Sequence, residues 1–330
     1  MGVVPRVVTE EIEAATLASW ATLSASSKGR ERHEEASGLR AAFQRDRDRI
    51  LHTKAFRRLM HKTQVFLSPE GDHYRTRLTH TFEVAQVGRT IGRALRLNED
   101  LVEAVCLGHD LGHTPFGHVG EEALGKAMGT AFEHNRQSLR VVDSLEDDGK
   151  GLNLSWEVRD GILNHTWRMP EPSTPEALVT RWADRIAYIS HDVDDSIRAG
   201  VLSEDDIPDG SRRVLGSSYR DRLDSMVRAL VAHSAEVEAV AMPDDVAEAM
   251  GELRAFLFER VYLGAARPEA EKAADVLGRL CEHFRSHPHE LPDVRSDDDI
   301  DQRVVDYVSG MTDRFAMRAY EERFLPRGIA

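Results

Sequence analysis

Three features of the chain predict an all-α fold. Apolar residues recur at helical spacing through most long segments, and helix start and stop signals bracket those segments. No stretch alternates apolar and polar residues as a half-buried strand would. The most strand-like runs, VVDSL and VVDYV, read more easily as helix.

Taken in order, residues 7–25 have helical spacing with Thr9 as the capping signal, and residues 26–37 read as a charged, mobile linker or a loop. Residues 43–66 (FQRDRDRILHTKAFRRLMHKTQVF) suggest one or two short amphipathic helices, followed by a turn at 68–72. Residues 77–95 carry a broad apolar stripe made of Leu78, Phe82, Ala85, Val87, Ile91 and Leu95. The helix predicted over 98–107 opens with an Asn cap and two acidic residues that suit the helix dipole. Residues 175–199 start on a proline at a plausible first helical position and continue as a long helix. Further helices are predicted over 219–242, 244–262, 269–285 and 299–323, with loops at 203–213 and 287–298. There is no internal repeat.

An apolar fraction of 41% is enough for a sizeable core. No run is long and apolar enough for a membrane span, and the N-terminus lacks the apolar core of a signal peptide. Cys106 and Cys281 stand far apart with no CxxC, which points to a reducing cytoplasm and excludes a disulfide or zinc-ribbon framework. The net charge of −14 argues against wholesale nucleic-acid binding. Residues 28–62 nevertheless hold a local excess of about six positive charges. That segment reads either as a solvated or intersubunit face or as an anion site for phosphates or a single strand.

The chemistry concentrates in residues 106–118, CLGHDLGHTPFGH. Histidines interleaved with glycines, where backbone can approach a ligand, read as a metal or phosphate site. His80, the adjacent pair His109-Asp110, and Asp184 form a mixed nitrogen and oxygen set. Such a set suits a divalent ion of intermediate hardness, Mn²⁺, Mg²⁺, Fe²⁺, Co²⁺ or Zn²⁺, rather than thiolate-bound zinc. Neighbours on a helix point about 100° apart, so His109 and Asp110 can share an ion only at a helix end or bend. Gly108 and Gly112 would provide that freedom.

These residues resemble the HD-domain phosphohydrolases, whose metal signature is H…HD…D. More narrowly, the chain is similar to the bacterial deoxyguanosine triphosphate triphosphohydrolase-like family. The carriers are the 43–66 segment with GDHYRTRLTHTFEVAQ, GHDLGHTPFGHVGEEAL, FEHNRQSLR and ADRIAYISHDVDDSIRAG, and more weakly DYVSGMTDRFAM. The resemblance implies an HD-domain helical bundle over 43–215, after an N-terminal helix and linker (1–42) and before C-terminal helices packed on the core (216–330). It implies His80, His109, Asp110 and Asp184 as metal ligands, and His118 with Glu121 as the catalytic pair. Arg77, His113 and His134 would meet the triphosphate, and Gln64, Tyr188 and Asp192 the sugar. The implied reaction converts a deoxynucleoside triphosphate to deoxynucleoside and inorganic triphosphate. A homo-oligomer is expected on the same ground. Two other readings are a different HD phosphohydrolase, acting on a nucleoside monophosphate or cyclic dinucleotide, and a nucleotide- or single-strand-binding regulator with little turnover.

Overall fold

The computed structural model describes residues 5–64, 75–265 and 267–326. Among these residues the fold is built of fifteen α-helices, and the β pairing consists of two isolated bridges, Arg30 with Ser155 and Thr63 with Thr76. In chain order the helices are α1 (Pro5–Thr16), α2 (Ala42–Leu51), α3 (Lys54–Arg58), α4 (Arg77–Ala94), α5 (Glu99–Gly108), α6 (Gly117–Met128), α7 (His134–Arg140) and α8 (Trp156–Asn164). They continue as α9 (Pro175–Arg198), α10 (Asp209–Leu215), α11 (Tyr219–Val237), α12 (Asp244–Leu257), α13 (Arg267–Ser286), α14 (Ile300–Ser309) and α15 (Asp313–Phe324).

Internal packing divides the chain into two compact units. The first comprises Met1–Leu51, His80–His109 and Asn153–Ala265; the second comprises His52–Thr79, Asp110–Leu152 and Ala266–Ala330. The first turn of α4 counts with the second unit and the rest of that helix with the first.

In the first unit the central element is α5. Its Asn98 cap accepts from the Leu101 N–H, and Glu99 and Asp100 follow in the first turn, as the dipole favours. From Leu101 to Gly108 the helix is buried at all but one position, so it is apolar nearly all round rather than striped. Helices α2, α8 and α9 pack against it. A Cβ at Gly88 of α4 would meet the Cys106 sulfur at 2.9 Å, and one at Gly161 of α8 would meet Val105 at 2.7 Å. Glycine is therefore the residue that lets these helices approach. Thr174 caps α9 through the Ala177 N–H, with Pro175 opening the helix. The second unit has its own core, in which α13 packs on α6, α14 and α15 through Leu124, Leu277, Leu280, Phe284, Val304 and Val308.

The structure departs from the sequence-based expectations in several places. The first helix ends at Thr16, and Thr9 lies inside it, its hydroxyl donating to the Pro5 carbonyl instead of capping. The segment read as a mobile linker or loop is irregular but tied down. Ser27 and Lys28 bind the Glu157 carboxylate at 2.7 Å, and Arg30 pairs with buried Asp46. Phe82, assigned to the apolar stripe of α4, is 49% exposed. The loop predicted over 203–213 contains most of α10, and the single helix predicted over 299–323 breaks at Gly310 into α14 and α15. The turn predicted at 68–72 lies outside the described residues.

The tight seat of Gly161 has a measurable consequence. Gly161→Ala is expected to destabilise the chain by about 1–3 kcal/mol through overpacking. Gly251→Ala, inside α12 with nothing within 4 Å of the added methyl, is expected to stabilise it by about 0.5–1 kcal/mol. Urea unfolding of the two variants beside wild type measures both; equal effects would mean that the α8–α5 contact is looser than described.

Candidate functional site

In the first unit three candidate ligands converge from three helices. Helix α5 stops at Gly108, so His109 is the first residue beyond it. His109 Nδ1 lies 2.6 Å from the Cys106 carbonyl oxygen. That carbonyl can only accept, so Nδ1 carries the proton and Nε2 keeps its lone pair. Nε2 points toward Asp184 of α9, 3.8 Å from Oδ1. His80 of α4 brings its Nε2 to within 3.1 Å of the same oxygen, and its ring centroid lies 5.8 Å from that of His109. Both imidazoles are 1% exposed. Two imidazole nitrogens and a carboxylate aimed at one buried point are a donor set for a cation of borderline hardness. Cys106 adds no thiolate, because burial pushes its thiol up to about 12. The residues therefore fit the divalent ion that the sequence implies.

The same unit holds groups that sequence reasoning passed over. His165 lies 5.1 Å from His109 between ring centroids and donates through Nδ1 to the Ile162 carbonyl, so it presents the same tautomer. His191 stands 5.7 Å from His80, with Nε2 3.0 Å from Glu83. Farther along α9, half-buried Tyr188 neighbours Arg185, and buried Asp192 accepts from the Tyr262 hydroxyl. Tyr262 is a partner that no motif pointed to.

In the second unit the organising group is Glu121. Its Oε2 is 2.9 Å from His118 Nδ1, and its Oε1 is 2.6 Å from His134 Nδ1 while also accepting from the His134 backbone N–H at 3.1 Å. One carboxylate thus braces two imidazoles. Burial opposes its charge, yet His134, His113 and His118 outweigh burial and hold Glu121 well below the usual carboxylate range. Burial likewise opposes a proton on His134, and Glu121 more than compensates, so His134 is raised. His113, stacked on His134 at 4.8 Å, is driven well below the ordinary histidine range by burial and then by Arg77. The two stacked rings are therefore shifted in opposite directions. Arg77 itself is 2.6 Å from Asp110 Oδ2, both groups being buried, and His134 Nε2 lies 3.9 Å from Asp110 Oδ1.

Backbone constraints hold this arrangement. A Cβ at Gly112 would meet the Ser138 backbone nitrogen at 2.2 Å, so the glycine serves close approach to α7 rather than a special φ. Phe116 sits at φ 62°, a costly conformation for a bulky residue, and its N–H donates to Asp313. This turn starts α6 and leaves the His118 side chain 73% exposed. Gln64 keeps a buried Oε1 with no hydrogen-bond partner among the described residues.

Similarity to known proteins covers nearly the whole chain. The HD domain family matches residues 77–189, and the phosphohydrolase-associated domain matches 240–322. A deoxyguanosinetriphosphate triphosphohydrolase-like protein of Caldanaerobacter subterraneus subsp. tengcongensis is 54% identical over 97% of this chain and 96% of its own length. Proteins of the same name from Desulfatibacillum aliphaticivorans and Clostridium perfringens are 48% and 45% identical, over 96% and 97% of this chain and 97% of each of theirs. The chain belongs to the deoxyguanosinetriphosphate triphosphohydrolase-like family. It is an HD phosphohydrolase, and HD domains depend on a metal. Within this family member the matched HD region opens at Arg77 and includes His80, His109, Asp110 and Asp184. Among the described residues no helix is long and apolar enough to cross a membrane.

Lys62, in the HKTQVF motif, is wholly buried beneath this site and donates to the carbonyls of His113 and Ser309. Burial, reinforced by Arg58, pulls its ammonium down to about 7. Its folded value lies below its unfolded one, so the unfolded chain binds more protons between about pH 7 and 10, and stability rises with pH there. Relative to Lys62→Met, wild type should gain up to about 1.4 kcal/mol per pH unit over that window. Urea unfolding of both proteins at three pH values checks this; parallel curves would mean that Lys62 does not titrate differently on folding.

Proposed function

We propose that this chain is a metal-dependent triphosphohydrolase, converting a deoxynucleoside triphosphate to deoxynucleoside and inorganic triphosphate. The observation that carries the reading is Glu121 bracing His118 and His134 beside the Arg77–Asp110 pair. The names of the relatives at 45–54% identity support the substrate class.

In this reading His80, His109, Asp110 and Asp184 hold the divalent ion. When bound, that ion neutralises phosphate charge and makes a coordinated water more acidic. The remaining work falls to the protein's own groups. His118, exposed and anchored through Nδ1, donates from Nε2 to the departing 5′-oxygen. Arg77 and His134, whose proton Glu121 favours, offset the charge that accumulates on the phosphates, while His113 contributes a hydrogen bond. Gln64, Tyr188 and Asp192 take the sugar. The buried Oε1 of Gln64, without a hydrogen-bond partner among the described residues, is an acceptor suited to a deoxyribose hydroxyl.

The test is incubation of metal-reconstituted protein with each deoxynucleoside triphosphate, alone and mixed, followed by identification of the phosphate product. Inorganic triphosphate supports the reading; orthophosphate or pyrophosphate overturns it. His118→Ala should lower kcat by about 10²–10⁴-fold while keeping bound metal and nucleotide affinity. Asp110→Asn should lose both metal and turnover. Metal analysis beside kinetics separates the two roles, and a metal-free His118→Ala protein would show that His118 is a ligand instead of an acid.

A further inference from the structure

A second cluster of metal-ligating side chains lies in the second unit, on residues that the HD chemistry does not use. Helix α13 ends at Ser286, and the chain continues His287-Pro288-His289-Glu290 through a single 3-10 turn. His283 and His287 are four apart, the spacing that puts two imidazoles on one helix face. Their rings stack with centroids 4.3 Å apart and 14° between planes. The 3-10 turn brings Glu290 back over them, its N–H donating to the His287 carbonyl at 3.0 Å. Glu290 Oε1 then lies 3.0 Å from His283 Nε2. One ligand atom from each of His283, His287 and Glu290 falls within 4.8 Å of the other two.

Partner groups orient this triad as they orient the ligands of a metal site. His287 Nδ1 lies 3.0 Å from the His283 carbonyl, so it carries the proton and leaves Nε2 as the coordinating atom. Arg323 of α15 donates to Glu290 Oε2 at 2.7 Å, occupying that oxygen and leaving Oε1 on the imidazole side. Leu291, buried in the core of the unit, fixes the far end of the turn. The triad borders a hollow lined by Arg279, Glu282, His283, Ser286, His287 and Phe324. Arg279, which lines the hollow, opposes metal binding, and it is 3.0 Å from Asp275, which offsets its charge.

We infer that His283, His287 and Glu290 form a second divalent-metal site, distinct in ligands from the HD set. Two imidazoles and one carboxylate favour a late first-row ion, Zn²⁺ foremost with Ni²⁺ and Cu²⁺, over Mg²⁺. Three protein ligands leave a coordination position for water. The bound ion clips the end of α13 to the turn that follows it, and through Arg323 to α15. This site is independent of the reaction proposed above.

The test uses the full chain, stripped of metal and titrated with Zn²⁺ alone. Bound metal is measured by mass spectrometry after equilibrium dialysis, and thermal unfolding is followed with and without Zn²⁺. His287→Ala and Glu290→Gln change exposed or half-exposed groups, and circular dichroism in the absence of metal verifies that each variant is folded. Wild type should bind about one more Zn²⁺ per chain than His287→Ala and show a larger Zn²⁺-dependent rise in Tm. Glu290→Gln should weaken that extra ion by about tenfold or more. Equal stoichiometry and equal Tm shifts in wild type and both variants would overturn the site. Loss in His287→Ala with no change in Glu290→Gln would remove Glu290 from the ligand set and overturn the triad as stated.

Discussion

The constraint on which the first unit depends is the close burial of α5. A helix apolar on nearly every side must be enclosed by others, and α2, α8 and α9 enclose it here. The approach is close enough that Gly88 and Gly161 have no room for a methyl group, which fixes the register of α4 and α8 against it. Register is what places chemistry. With α4, α5 and α9 locked, His80, His109 and Asp184 arrive at one point from three directions, although 29 and 75 residues separate them along the chain. The tautomer of His109 is set by the helix that delivers it, since the Cys106 carbonyl belongs to the last turn of α5.

The second unit is organised by charge. A carboxylate as enclosed as Glu121 would ordinarily be driven toward its neutral form, and it stays ionised because two imidazoles contact it directly. Similar pairing recurs around it. Asp313 accepts from the N–H groups of Thr63 and Phe116, and Arg140 is held by Asp306 and Asp298. Removing one partner from such a set leaves an uncompensated buried charge, which costs more than the pair itself contributes. Phe116 shows the same balance in the backbone. Its positive φ is unfavourable, and the Asp313 hydrogen bond with burial of the ring offsets it.

Membership of the family and these geometries bear on each other at particular residues. His118 and Glu121 are three apart on one helix, so their pairing is a local matter. The bond from Glu121 to His134 is not local, for it closes across the turn between α6 and α7 and makes one carboxylate responsible for two rings. His165 and His191 extend the histidine cluster of the first unit beyond the ligand set that the motif suggests.

Much of the fold was legible in the sequence because its signals are local. The all-α class, the Asn98 and Thr174 ends of α5 and α9, and the placing of His109-Asp110 at a helix end follow from periodicity and capping, which act within a turn or two. The misreadings also share a cause. Whether 26–37 would be held depended on Glu157, about 130 residues away. The reading of Gly108 and Gly112 as bend points was local too; what requires glycine there is the nearness of Ile162 and Ser138. The ligand candidates could be named from their motif, whereas the Glu121–His134 bond, the Tyr262 contact to Asp192 and the depressed proton affinity of Lys62 could not. Each of these is set by burial or by a partner distant in sequence, and such energies exist only once the helices have packed.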